Sequence, residues 1–321
     1  MNNKFYPMNQ AEVLDLVLDV YKRCFLKQIS VSIIFSVILY VAFMVMVFAG
    51  IIASMFVLFD TMAHSTLSSN GIIIIGVFIM LFLLGLAFYE ALISTGSALI
   101  AKHTLLNEHF DVGKIVKAAF KKMFVAASAA VANAIMTIPL FVVMAAGMYL
   151  YISMIFRLDD MDFASRASIT FIIVTGILLI LMMVVLIAFF ATITMMSMSA
   201  SIFEGRWLFG AVKRGFSLVR PDFFKLMGLK VLYFVIMFAF SFSVEAFFGM
   251  ISMLGVYFLP SGASAALSMG TMMIGWIFTL AISVVLIPLS GIFNTIIYIN
   301  QRIKHEGLDV ELNLNALRGR M

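Results

Sequence analysis

The sequence predicts an all-α polytopic membrane protein, a transmembrane helical bundle of six spans. Three observations carry that expectation. The 321 residues are 64% hydrophobic and only 12% charged, against about 45–50% and about 25% in soluble domains. Mean hydropathy is +1.14. The apolar residues also fall into six long continuous runs rather than a period-two alternation, which excludes a β-barrel. With Gly at 20 and Pro at 5 the chain is neither collagen-like nor disordered. A lone cysteine, Cys24, excludes a disulfide framework or a thiolate metal cluster.

A transmembrane helix needs roughly 20 apolar residues. The runs lie at about 30–59, 71–101, 124–156, 169–203, 231–258 and 265–300. Each exceeds the minimum, so tilted or kinked helices that emerge past the hydrocarbon are expected. The first run should be a retained span. A mixed-charge segment precedes it, and its apolar core is longer than that of a signal peptide. All of the 21 Lys and Arg residues except Arg157 and Arg166 fall in the N-terminal segment, the loops after spans two and four, and the tail. By the positive-inside rule both termini are then cytoplasmic. The pI near 9.3 is therefore a topology signal, and no nucleic-acid partner is expected.

An internal repeat organises the 1–321 membrane domain into units of about 9–101, 109–203 and 205–300, with a cytoplasmic tail at 301–321. Ahead of span one stands Leu16-Val17-Leu18-Asp19-Val20-Tyr21-Lys22-Arg23, then Phe25. Ahead of span three stands Ile115-Val116-Lys117-Ala118-Ala119-Phe120-Lys121-Lys122, then Phe124. Ahead of span five stands Ala211-Val212-Lys213-Arg214-Gly215-Phe216, with Phe223-Phe224 further on. The units start 99 and then 96 residues apart. Each reads as an interfacial amphipathic helix, a basic-aromatic corner and a transmembrane hairpin.

In the second unit Val112, Ile115, Val116, Ala119, Phe120 and Met123 share one helical face, opposite Lys114, Lys117, Lys121 and Lys122. Leu208, Ala211, Val212, Phe216 and Val219 oppose Arg206, Lys213, Arg214 and Arg220 in the third. That is the pattern of helices lying in the headgroup plane, apolar face down. These eight basic residues are the candidates for binding anionic lipid headgroups or a cytoplasmic or membrane protein partner. The plainer alternative is that the helices only orient the hairpins. The first unit opens with Asn9 and Glu12 at capping-box spacing. Its acidic stripe, Glu12, Asp15 and Asp19, suits docking on the basic helices.

The segment Ala211 to Phe224 resembles the corner of a bacterial family, in the order basic residue, small residue, aromatic and then an aromatic pair. That family holds the membrane domain of some glycerophosphoryl diester phosphodiesterases and related six-helix inner-membrane proteins. The tail, Tyr298 through Arg302 to Glu306-Gly307-Leu308-Asp309-Val310-Glu311, is similar to the family's closing motif. Asn300 departs from it, standing where an aspartate is expected. The resemblance implies a six-helix fold in the bacterial cytoplasmic (inner) membrane and is nearly silent on function. The chain shows no soluble phosphodiesterase domain, so that activity is not expected of it.

Polar residues inside apolar runs are the functional candidates. Glu90 in span two and Glu245 in span five stand out, because a charge at the bilayer centre costs about 2.5–3.5 kcal/mol on insertion scales. One reading is a proton- or substrate-linked pair lining a path. The other is two hydrogen-bonded acids holding helices together through Ser94, Ser241 or Ser243. No basic residue is expected deep in a span beside them. Pro139 and Pro288 are expected to break helices, with Asn133, Thr137, Ser290, Asn294 and Thr295 near enough to serve the freed carbonyls. Met195, Met196 and Met198 lack histidine partners and read as core gap-fillers, so no metal or other cofactor is expected. No nucleophile elbow, zinc spacing or phosphate loop appears. The expectation is a non-enzymatic integral membrane protein acting through lipids or as an accessory subunit. The alternative is a transporter or lipid-handling permease with Glu90 and Glu245 along the path.

Overall fold

The computed structural model describes residues 6–64, 69–159, 166–258 and 261–308. The turn residues Asp160 and Asp162, and the tail acids Asp309 and Glu311, lie outside the described residues. Seven α-helices follow in order: α1 (Gln10–His64), α2 (Ser69–Leu105), α3 (Val112–Asp159), α4 (Arg166–Glu204), α5 (Leu208–Val219), α6 (Phe223–Phe258) and α7 (Ser261–Glu306). Six of them, all but the short α5, are long and apolar enough to cross a membrane. Among the described residues the structure is all-helical, and its six long apolar helices make the chain a multi-pass membrane protein.

The capping box forms as its spacing predicts. The Asn9 N–H donates to Glu12 Oε2 and the Glu12 N–H to Asn9 Oδ1, both at 2.9 Å. From there α1 runs unbroken for 55 residues, roughly 80 Å of helix, against about 30 Å of hydrocarbon. The sequence suggested a separate interfacial helix and then a span. In α1 and α3 the two are one continuous helix, because no residue at the corner interrupts the backbone ladder. Only the third unit breaks. There Pro221, which has no N–H to donate, sits in a 3-10 turn at Arg220–Asp222 between α5 and α6.

Each long helix has two halves in different surroundings. At the charge-rich end the helices pack on one another around one main core flanked by two smaller clusters. The main core includes Val17 and Phe35 of α1, Ile100 of α2, Ile115 of α3, Met196 of α4, Leu218 of α5, Leu229 of α6 and Phe293 of α7. Beyond it the helices present large apolar side chains outward, such as Phe48 and Phe56, Leu83, Phe141 and Leu150, Leu181, Phe238 and Phe247, and Trp276. These exposed stretches are on the order of 20 residues each, or ~30 Å, the thickness of the hydrocarbon.

Two expectations change as a result. The apolar runs at 71–101, 124–156, 169–203 and 265–300 overreach the lipid-facing section. Their inner ends are apolar because protein covers them, as at Ala98, Ala126, Ala130, Ala200 and Ile297. The amphipathic segments likewise do not lay their whole apolar face on lipid. Ile115 and Ala119 are buried in protein, as are Ala211, Val212 and Val219. A stripe on a stiff helix already anchored in the bundle finds a protein partner first. Two of the three acids in the α1 stripe are used within that helix, Asp19 pairing with Arg23 at 2.6 Å and Glu12 bonding the cap, while Asp15 is exposed.

In the packed half α1 lies against α2 and α7, α3 against α2 and α4, and α6 against α4 and α7. Small residues permit the close approaches. Gly291 meets Ser97. A Cβ on Gly96 would stand 2.7 Å from the Phe35 ring, and one on Gly215 would stand 2.6 Å from the Ser197 backbone nitrogen. Hydrogen bonds add to the packing: Gln28 Nε2 donates to Ser97 Oγ at 2.9 Å, and Ser197 Oγ donates to Asn133 Oδ1 at 2.8 Å. The outer halves pair within hairpins, Phe43 with Phe82 and Phe248 with Phe278.

Pro139 and Pro288 do not break their helices; both sit inside continuous α3 and α7. The nearby hydroxyls serve other carbonyls than the freed ones, Thr137 bonding Ala134 O and Thr295 bonding Gly291 O, each at 2.8 Å. From another helix the Tyr21 hydroxyl donates to Val285 O at 2.7 Å, the carbonyl next to the one that Pro288 leaves without its donor.

Gly215→Ala should therefore destabilise the detergent-solubilised protein by about 1–3 kcal/mol of overpacking, read as a lower melting temperature. Gly210→Ala, on the same helix with nothing within 4 Å of its Cβ position, should leave it unchanged or raise it. Equal melting of the two variants would contradict the packing described.

Candidate functional site

Where the packed half gives way to the lipid-facing half, a cavity of about 560 Å³ opens among α2, α3, α4, α6 and α7. Its polar groups are Glu90 and Ser94 from α2, Thr137 from α3, Thr194 from α4, Lys230 from α6, and Ser290 and Asn294 from α7. Phe141, Met144, Ile187, Phe190, Phe234 and Ile287 supply apolar wall.

Lys230 is the residue that sequence reasoning missed. Grouped with the loop cations by order along the chain, it lies two turns inside α6 and is only 5% exposed. A basic residue thus lines the cavity of Glu90, at the inner boundary of the span rather than deep in it, whereas none lines that of Glu245 among the described residues. The position of Lys230 carries the signal: Leu226, Leu229, Lys230 and Tyr233 fall at i, i+3, i+4 and i+7, and all four are buried. Lys230 Nζ donates to Asn294 Oδ1 at 3.2 Å. It also lies 5.0 Å from the ring centre of Phe234, 5.2 Å from Tyr233 and 5.5 Å from Phe293. Ring faces attract a cation whose water shell has been stripped away.

Glu90 lines the same cavity and is exposed in it, without a direct ion pair to Lys230. Glu245 does not join it. That residue lines a second cavity of about 510 Å³ between α6 and α7, with Ser252, Thr271, Trp276 and Thr279. Along α6 the fifteen residues from Lys230 to Glu245 span roughly 22 Å. Of the two asparagines, Asn294 belongs to the first cavity, whereas Asn133 is buried in the α3–α4 contact with Ser197.

The eight basic candidates divide. Lys114, Lys117, Lys121, Lys213 and Arg220 are exposed. Lys122 is used by the fold: its Nζ donates to Ile202 O at 2.7 Å, at the carbonyl end of α4 where a cation is favoured. Arg214 turns inward to Glu204 at the end of α4, placing Nε at 2.8 and 2.9 Å from the two carboxylate oxygens. It also reaches Glu306 Oε1 at 2.6 Å. Arg302 Nε bonds Glu306 Oε2 at 2.9 Å, the Tyr298 hydroxyl donates to Glu204, and Arg206 approaches Glu204 at 3.6 Å. The tail residues Tyr298, Arg302 and Glu306 thus clamp α7 to α4 and α5.

Asn300 is explained by the same region. Its Oδ1 accepts from the Met8 N–H at 2.9 Å and its Nδ2 donates to Met8 O at 3.2 Å. An aspartate makes only the first of these bonds. Met195, Met196 and Met198 are buried in the core. Among the described residues no group of three His, Cys, Asp or Glu is placed to hold a metal.

No family model, curated protein or solved structure matches this chain.

The clamp sets a pH dependence. Glu204 and Glu306 stand beyond the apolar runs. Burial pushes both carboxyls up, but hydrogen bonds from Arg214, joined by Tyr298 at Glu204 and Arg302 at Glu306, outweigh it and hold both below the ordinary carboxylate value. Lowered carboxyl values contribute stability that is fully present above the unfolded value near 4.3 and lost as pH falls through the folded one. Arg214→Ala should lower stability by about 1–3 kcal/mol at pH 7. It should also flatten the loss of melting temperature below about pH 4.5, measured by thermal unfolding in detergent. A variant that melts like the parent at both pH values would contradict this role.

Proposed function

We propose that this chain is a non-enzymatic integral membrane protein that works on the lipid phase, holding the polar end of an amphipathic molecule in the Glu90–Lys230 cavity. The observation that carries the reading is the level of that cavity. An acid, a buried ammonium, an amide and hydroxyls gather where the lipid-facing halves end, and apolar walls extend from them toward the hydrocarbon. Ligand sites have this composition, mostly apolar with a few convergent polar groups.

The wider frame is also a proposal. The distribution of Lys and Arg supports an inner-membrane placement with both termini cytoplasmic. A threefold repeat is supported by the contacts of α1, α3 and α6. Each leans on the second helix of its own hairpin and on the second helix of the preceding one, with α7 preceding α1 cyclically. The resemblance to the phosphodiesterase-linked membrane family rests on the sequence of the Ala211 to Phe224 corner and of the Tyr298 to Glu311 tail. Lys114, Lys117, Lys121, Lys213 and Arg220 are the exposed cations for anionic headgroups or a partner protein.

A transport path is the second reading. What favours it is that both cavities share α6 and α7 as walls, so Glu90, from α2, and Glu245, from α6, line successive cavities along one hairpin rather than forming a pair.

Met144→Trp fills the first cavity without touching its charges. The parent, purified in mild detergent and weighed intact by native mass spectrometry, should retain one amphiphile through detergent exchange, and the variant should lose it. Identical adducts on both, or none on the parent, would contradict the reading. For the transport alternative, Glu245→Gln should slow movement of a fluorescent phospholipid across proteoliposomes several-fold; an unchanged rate removes it.

A further inference from the structure

The level and chemistry of the cavity go further than an unspecified amphiphile. Glu90 follows the lipid-exposed Leu86 and directly precedes buried Ala91, Leu92 and Ile93. Lys230 sits between buried Leu229 and exposed Leu232. Asn294 follows exposed Ile287 and buried Phe293. Three helices therefore place their polar groups at one depth, the boundary where a phospholipid of the charge-rich leaflet carries its headgroup.

The charges there are complementary to a zwitterion. The Lys230 ammonium has three N–H donors, and Asn294 takes one of them. A buried cation left with spare donors suits a phosphate oxygen, the acceptor that forms the stronger charge-assisted bond. Glu90 is an acceptor in the same chamber, and no direct ion pair joins it to Lys230. A ligand group that satisfies it carries hydrogen-bonding positive charge. A volume of about 560 Å³ takes a headgroup and its glycerol but not two acyl chains. Exposed Phe141, Ile187 and Ile287 give those chains an apolar exit.

We propose that the cavity is a docking site for one phospholipid with a primary-ammonium zwitterionic headgroup, its phosphate on Lys230 and its ammonium on Glu90. This rests on the reading above that the cavity holds an amphiphile. An anionic phosphatidylglycerol satisfies Lys230 but offers Glu90 no cation. A phosphatidylcholine carries the charge but has no N–H to donate.

The test reconstitutes the full chain into nanodiscs of equal parts phosphatidylethanolamine and phosphatidylglycerol and weighs the lipid retained on release. The parent should hold one phosphatidylethanolamine with about tenfold preference, the worth of one charge-assisted hydrogen bond. Glu90→Gln should keep a phospholipid and lose the preference. Lys230→Met should keep neither lipid, with its melting curve showing that it is folded. If that variant does not fold, Glu90→Gln alone decides. A parent that holds either phospholipid equally, or a Glu90→Gln variant that keeps the preference, overturns this inference and leaves the amphiphile reading standing. Retention of a fatty acid alone does the same. A parent that retains no lipid overturns both.

Discussion

The structure depends on one constraint: its helices are far longer than the bilayer is thick. A helix of 46 to 55 residues, as in α7, α3 and α1, rises roughly 70–80 Å, and lipid covers less than half of that. The remainder must be covered by protein or be polar. Here it is mostly covered by protein. The charge-rich ends pack on each other through Gly96, Gly215 and Gly291 and through a core from Val13 to Tyr298, leaving the outer halves to the hydrocarbon. Two solvents act on one chain, and the boundary between them is the most informative level in the molecule.

A lysine buried in aromatic surroundings is expensive unless hydrogen bonds and ring faces compensate. Lys230 has both, in Asn294 and in Tyr233, Phe234 and Phe293. Glu90 lines the same chamber from a different helix. The clamp of Glu204, Arg214 and Glu306 lies nearer the charged end and has a different part: it ties α4, α5 and α7 together, which holds in register the helices that wall the cavity. The charges of the cavity and those of the clamp are separate sets.

Much of this was legible in the linear pattern. The six spans, the capping box at Asn9 and Glu12, and the amphipathic faces of α3 and α5 follow from periodicity and local hydrogen bonding. Glu90 was visible as an acid in an apolar run. Lys230 was hidden because a cation near a run of basic residues looks like one more loop charge, and its stripe with Leu226 and Tyr233 is seen only when α6 is extended back past its apolar start. Arg214 was visible as a candidate cation, but its acidic partners lie 10 and 92 residues away, beyond the reach of local periodicity.

The sequence by itself determined that this chain is helical and resides in a membrane, because hydropathy and backbone hydrogen bonding act residue by residue and leave few other solutions in lipid. Only the tertiary structure decided which apolar residues face lipid and which face protein, since Ala130 and Phe141 are equally apolar on paper and differ only in what lies across from them. It also separated Glu90 from Glu245 and brought Lys230 to Glu90's cavity. Such meetings depend on the rotation and stagger of five packed helices, which no single helix encodes.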